Sequence, residues 1–339
     1  MSETVLVTGG SGFIGGWCVA SLLQRGYRVR TTVRSLAKEA AARAAIASVV
    51  DPQDRLSFYP ATLTEDAGWD AAADGCDYVL HVASPLGVGA PKDPNVLIIP
   101  AREGALRALK AAAKAGVRRV VMTSSVAAAA PPPGRRDAES DETVWTNPED
   151  KGVGAYPQSK TIAERAAWAF IEEYGGPTAL SVVNPALVLG PVLTAENLGS
   201  VQVVQRLMNG SLPGLPRLGF NIVDVRDVAD LHIRAMTAPQ AAGERFIAAG
   251  DFLWMKDIAA VLRADLGADA AKIPTRPLPD FVLRLVALFD ADLRSVTPSL
   301  GIKHSFTSAK AQRMLGWSPR PVETTLIDCA QSLIAKGEI

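Results

Sequence analysis

The first half of this chain alternates short runs rich in β-branched residues with alanine-rich stretches of helical character, and few folds accommodate that rhythm. The runs at Val5–Thr8, Arg28–Val33, Leu56–Tyr59, Tyr78–Val82, Val117–Thr123 and Leu180–Asn184 read as strands. Helices are expected from about Phe13, Leu36, Trp69, Pro94 and Tyr156. Strands that alternate with helices pair in parallel and are buried on both faces. The crossovers are right-handed, so the C-terminal ends of the strands open at one edge, and ligands bind there. The expectation is an α/β protein with a doubly wound parallel sheet over residues 1–184, to which some later segments return. Residues 185–339, broken by Gly and Pro around Gly210–Gly219, would form mainly a smaller C-terminal substrate lobe, with helices from about Val225 and Trp254.

Thr8-Gly9-Gly10-Ser11-Gly12-Phe13-Ile14-Gly15 follows the first strand directly and opens a helix, as a dinucleotide loop must. Gly9 allows the tight turn, Gly12 lets the backbone approach a pyrophosphate, and Gly15 lets the helix pack closely. Free N–H groups and the helix dipole would meet the negative charge. The sheet is therefore read as Rossmann-type. The second strand ends at Val33-Arg34, with no carboxylate to grip a ribose 2′-hydroxyl. A guanidinium there suits a 2′-phosphate, with Lys38 as a second cation, so NADPH/NADP is the expected cofactor.

Other function classes fall away on composition. Net charge is zero without runs of one sign, so neither a nucleic-acid surface nor a polybasic membrane patch is expected. No apolar stretch reaches the ~18 residues of a membrane span, and the first residues lack the pattern of a signal peptide. Cys18, Cys76 and Cys329 are few and scattered, as are His81, His232 and His304, so neither disulfides nor a metal site is indicated. An unprocessed cytoplasmic protein is expected.

Tyr156 has a lysine four residues on, in Tyr156-Pro157-Gln158-Ser159-Lys160, which places both side chains on one helix face. Pro157 fits a first helical turn, so Tyr156 sits at the helix mouth. The run Thr123-Ser124-Ser125 ends the preceding strand. Reducing a carbonyl leaves a developing alkoxide that must take a proton, and a phenol of pKa about 10 needs help to serve at neutral pH. A nearby ammonium favours the phenolate, and the lysine can also hold the nicotinamide ribose. A strand-end serine would hydrogen-bond the substrate oxygen. Ser125 and Ser124 are rivals for that role, since adjacent strand residues point opposite ways.

Together the glycine loop, Thr123–Ser125 and Tyr156–Lys160 resemble the extended short-chain dehydrogenase/reductases over nearly the whole chain. Within them, His81-Val82-Ala83-Ser84-Pro85, Tyr156–Lys160 running into Thr161-Ile162-Ala163-Glu164-Arg165, and Asn184-Pro185-Ala186-Leu187-Val188-Leu189-Gly190-Pro191 look like the dihydroflavonol reductase and cinnamoyl-CoA reductase branch, which includes microbial ketoreductases. The resemblance implies that the serine is Ser125 and that Val82, Ala83 and Ser84 pass beneath the cofactor. It also implies that Pro185, Ala186, Leu187 and Val188 lie against the nicotinamide, with Thr123, Phe13 and Ile14 in its groove. Arg34 matches the branch's 2′-phosphate arginine. The family's adenine-contacting Asp-Leu is here Thr62-Leu63, where a hydroxyl replaces the carboxylate.

The expected activity is NADPH-dependent reduction of an aldehyde or ketone, apolar or aromatic, to an alcohol. The alternatives are a nucleotide-sugar epimerase or dehydratase, disfavoured by the missing acid at Arg34, and a non-enzymatic NADP sensor, disfavoured by the intact Tyr–Lys pair. A small carbonyl compound is the expected partner, and the protein would act as a monomer or homodimer. Residues 126–154, Pro-rich at Ala130–Gly134 and polar over Arg135–Gly154, are long for a connection without structure and read as a functional lid or as disordered. Trp145, Phe220 and Leu212–Pro216 are candidates for an apolar pocket, and Asp224, Arg226 and Asp227 read as structural.

Overall fold

The computed structural model describes residues 2–85, 91, 93–135, 137–196, 198–288 and 296–339. Among the described residues the strands run in chain order: β1 (Thr4–Thr8), β2 (Arg28–Val33), β3 (Leu56–Pro60), β4 (Tyr78–His81), β5 (Arg119–Thr123), β6 (Ala138–Ser140), β7 (Ala179–Pro185), β8 (Leu187–Leu189), β9 (Gly219–Asp224), β10 (Arg245–Ala248), β11 (Phe252–Trp254) and β12 (His304–Phe306). The helices among the described residues are α1 (Phe13–Gln24), α2 (Glu39–Ala47), α3 (Trp69–Ala73), α4 (Asn95–Lys114), α5 (Ala155–Tyr174), α6 (Gln202–Met208), α7 (Val225–Thr237), α8 (Met255–Leu266), α9 (Asp280–Val286), α10 (Ala309–Leu315) and α11 (Val322–Ala335).

Seven strands form one parallel sheet in the order β3-β2-β1-β4-β5-β7-β10, the doubly wound arrangement expected of the Rossmann-type reading. Side-chain alternation gives the sheet two cores. Val5 and Val7 of β1 face α1 and α7, whereas Leu6 faces α3, α4 and α5. Alanines at 101, 105, 108 and 112 are buried along α4 and allow α5 to pack closely against it. The connection after β2 begins as a 3-10 turn at Leu36–Lys38 and becomes α-helical only at Glu39.

A third core gathers β8, α6, β9, α8 and α11, with Ile222, Leu262 and Leu326 at its centre. β8, β9 and β11 pair into a small separate sheet. Two later segments return to the main sheet: β10 is its edge strand, and α7 packs on α1. The residues after Ser125 are tied down rather than free. β6 pairs in parallel with β12, His304 Nε2 bonds Arg135 O, and the Thr146 hydroxyl donates to Ala127 O at 2.8 Å. At the far end of that segment, Gln158 closes the start of α5 by donating to Val153 O at 3.0 Å.

Candidate active site

Two parts of the sheet edge come together at the crevice between β1 and β4, where the strand order reverses. The first is the glycine loop. Gly9 has φ +73°, a left-handed conformation that glycine adopts without strain, and Gly12 N–H closes the turn on Gly9 O at 2.9 Å. A Cβ on Gly15 would lie 2.2 Å from Gly9 O, so the helix's close approach is to the loop itself as well as to the sheet. Gly10, absent from the sequence argument, is equally constrained: a Cβ there would lie 2.1 Å from Thr31 Oγ1, the atom that accepts the Gly10 N–H. No side chain caps the N-terminus of α1, which leaves its first N–H groups to a ligand. A cleft lies over this turn, walled by α2 and by Val192–Glu196.

Arg34 leaves β2 exposed, and among the described residues its guanidinium has neither a hydrogen bond nor an ion pair. Lys38, the second cation of the sequence expectation, pairs through its ammonium with Glu196 at 2.8 Å across the cleft. Thr62 and Leu63 follow β3. Trp69 Nε1–H donates to Thr62 O at 2.9 Å and Arg107 to Leu63 O at 2.9 Å, so this connection is held by its backbone while the Thr62 hydroxyl meets only Thr64.

The Thr8 hydroxyl fastens the loop to the end of β4. It accepts the N–H groups of Val82 and Ala83 at 3.0 and 2.9 Å, which leaves its proton for His81 Nδ1 at 3.1 Å. His81 is thus neutral, and burial followed by the nearby Lys160 charge pushes its pKa down to about 3. Ser84, next along, accepts from Lys160 Nζ at 3.0 Å.

The second part is built from β5, α5 and β7. α5 begins at Ala155 with Pro157 in its first turn, so Tyr156 stands at the helix mouth, 37% exposed, while Lys160 one turn on is buried. Lys160 Nζ lies 5.8 Å from the centre of the Tyr156 ring. Ser125 caps the 3-10 turn Val126–Ala128, against which α5 packs. The three serine and threonine side chains at the end of β5 separate clearly. Thr123 donates to His232 Nε2 at 2.6 Å, which commits its hydroxyl to α7. Burial pushes His232 down to about 4, and its Nδ1–H meets Val228 O. Ser124 donates to Glu164 Oε2 at 2.5 Å in the interior. Ser125 Oγ makes only a local bond, accepting from Ala127 N–H at 3.1 Å. Of the two rival serines, Ser125 is therefore the one left available. Pro185 ends β7 and Ala186 leads into Leu187 and Val188 of β8, with Ala186 N–H fixed to Ala248 O at 2.9 Å.

Sequence reasoning missed Glu164, Asn184 and Arg245, which form a buried polar cluster behind Ser124. Glu164 had a signal: it continues the four-residue spacing of Tyr156 and Lys160. Arg245 had none, because its partner lies on another element. Trp145 is no free pocket wall, since the Arg245 guanidinium covers its ring at 3.7 Å. Asp227 is structural, forked by Arg320 at 2.7 Å, and Asp224 caps α7. No cluster able to hold a metal ion occurs among the described residues, and no helix there is long and apolar enough to cross a membrane.

Residues 5–249 match the model of the NAD dependent epimerase/dehydratase family. The chain belongs to that family. Its sequence is 33% identical to cinnamoyl-CoA reductase 1 of Petunia hybrida, over 99% of this chain and 94% of that one. It is 36% identical to dihydroflavonol 4-reductase of Zea mays, over 77% and 73% respectively. Among solved structures, yeast methylglyoxal/isovaleraldehyde reductase Gre2 complexed with NADPH superposes with a TM-score of 0.82 at 27% identity, covering 99% of this chain and 100% of that one. The reductase branch inferred from the sequence motifs is borne out by these relatives.

Proposed function

We propose that this protein is an NADPH-dependent carbonyl reductase that converts an apolar or aromatic aldehyde or ketone to an alcohol. The observation that supports the reading is a buried lysine beside the partly exposed tyrosine on α5, which packs on the 3-10 turn capped by Ser125, the serine with only a local bond. The residues present fit the cofactor. Gly10 and Gly15 form a cradle that a Cβ would fill, and Arg34 is a guanidinium without a partner among the described residues at the end of β2. Gly9, Gly12 and Gly15 would hold the pyrophosphate with the N–H groups of Phe13 and Ile14, and Arg34 the 2′-phosphate. Val82–Ser84 and Pro185–Val188 would flank the nicotinamide end. The relative Gre2 is described with NADPH, which supports the same choice here. Bound NADPH supplies the hydride.

The chain's own residues do the rest. Ser125 Oγ–H orients the carbonyl oxygen and stabilises the charge that develops on it. Tyr156 donates its phenolic proton to that oxygen. The Lys160 ammonium, fixed by Ser84 Oγ, offsets the phenolate left behind and holds the ribose hydroxyls. The third core, with the Gly210–Gly219 segment, whose one charged side chain Arg217 is paired with Asp280, supplies the substrate side.

The test is oxidation of NADPH and of NADH with a panel of aryl ketones, aliphatic ketones and aldehydes, for wild type and Tyr156→Phe. NADPH-preferring turnover is expected, and loss of the phenol lowers kcat by about 10²–10⁴ while NADPH binding is retained. Absence of turnover across the panel overturns the reading.

A further inference from the structure

Behind the proposed catalytic residues lies a buried cluster that the chemistry above leaves unused. Glu164 is fully buried on α5, one turn beyond Lys160 on the face that carries Tyr156. Its Oε2 accepts from Ser124 Oγ at 2.5 Å and from Asn184 Nδ2 at 2.9 Å. Its Oε1 accepts from Arg245 Nε at 2.5 Å. The same Asn184 Nδ2 also donates to the backbone carbonyl of Ser125 at 3.1 Å. Asn184 Oδ1 is left buried without a partner, an arrangement that burial penalises, so the amide's orientation is dictated by its two acceptors. Arg245 also donates from Nη1 to the carbonyls of Glu142 and Val144 and from Nη2 to that of Ala128.

One carboxylate therefore joins the ends of β5 and β7 to the helix that presents Tyr156 and Lys160. From this geometry we infer that Glu164 is a positioning residue: through Ser124 and Asn184 it fixes the backbone of Ser125 relative to Tyr156. The inference rests on the reductase reading for its kinetic consequence but not for its structural one. A stabilising ion pair alone would not need its second carboxylate oxygen shared between the residue beside Ser125 and the amide holding the Ser125 carbonyl. Errors of about 1 Å in such alignments cost rates on the order of 100-fold, so a loosened Ser125 appears in kcat.

The experiment uses the full chain with two readouts, hydrogen exchange of the amides of Val126–Ala128 and steady-state kinetics in a double-mutant cycle with Ser125→Ala. For Glu164→Gln the exchange is expected to quicken by about tenfold or more and kcat to fall by about tenfold, with KM for the carbonyl and the Kd for NADPH within about threefold of wild type. In the Ser125→Ala background the same substitution should change kcat less than about twofold. Ser124→Ala, which removes one link and leaves the Arg245 pair intact, should act in the same sense but more weakly. It carries the test through the same cycle if Glu164→Gln does not fold. Equal loss of kcat in both backgrounds, or unchanged exchange, overturns the inference. If wild type reduces no carbonyl, the reductase reading fails on its own, and the exchange measurement still decides whether Glu164 holds the strand end.

Discussion

Around the glycine loop the shape depends on atoms that are missing, whereas at the ends of β5 and β7 it depends on polar atoms that are engaged. Gly10 and Gly15 leave room for the turn to fold onto Thr31 and onto its own carbonyl, and Arg34 extends from β2 with no partner among the described residues. Some strands away, Ser124, Glu164, Asn184 and Arg245 exchange hydrogen bonds in an interior closed to water. A cradle for a ligand that comes and goes has to leave its donors open, and a platform for chemistry has to leave its framework no freedom.

The sharpest way to break this comparison is to fill the cradle. Gly15→Ala pushes a methyl against a backbone carbonyl that cannot step aside, and NADPH affinity should drop by more than about 3 kcal/mol, or the fold should be lost. Gly10→Ala meets a side chain instead, so Thr31→Ala in the same molecule should restore part of the lost binding, measured by fluorescence titration. A difference between these two outcomes separates backbone crowding from side-chain crowding in one loop.

Arg34→Ala is the next largest perturbation. Loss of a charge-assisted contact should weaken NADPH by about 2–3 kcal/mol and leave NADH nearly unchanged, as read from the two dissociation constants. Equal weakening of both cofactors would remove Arg34 from the 2′-phosphate.

The smallest effect is on stability, and it probes both regions. His81 beside the loop and His232 behind β5 have folded pKa values of about 3 and about 4, below the ordinary histidine value. A depressed folded pKa means that the unfolded chain binds the proton first, so the stabilisation is complete above about pH 6.5 and is lost as pH falls toward the folded values. Each histidine should cost about 2 kcal/mol by pH 5. Thermal melting of His81→Asn and His232→Asn should each show a shallower fall between pH 6.5 and pH 5 than wild type.

Legibility in the sequence followed the same division. The loop, the strands of the first half and the Tyr156–Lys160 pair are local patterns, readable because period and spacing carry them. β10 was invisible because it opens with Arg245, a charge that argues against a buried strand until Glu164 is known to meet it. The choice between Ser124 and Ser125 could be drawn from family resemblance, but strand alternation alone left it open, because what decides it is a carboxylate on another element. The pairing of Lys38 with Glu196 is not legible in the sequence, because the two lie 158 positions apart. β6 and β12 are three residues long and exist as strands only in each other's company.

That last pairing has a consequence in the order of synthesis. His304 meets Arg135 across 169 positions of chain, and the segment following Ser125 is bracketed by β12 on one side and β10 on the other. A ribosome that has made the glycine loop, the Tyr156 helix and all seven strands of the main sheet has still not made the strand that β6 pairs with. The nascent chain carries the side chains proposed for catalysis well before β6 can pair, and β12, translated long after β6, completes a part of the molecule begun much earlier.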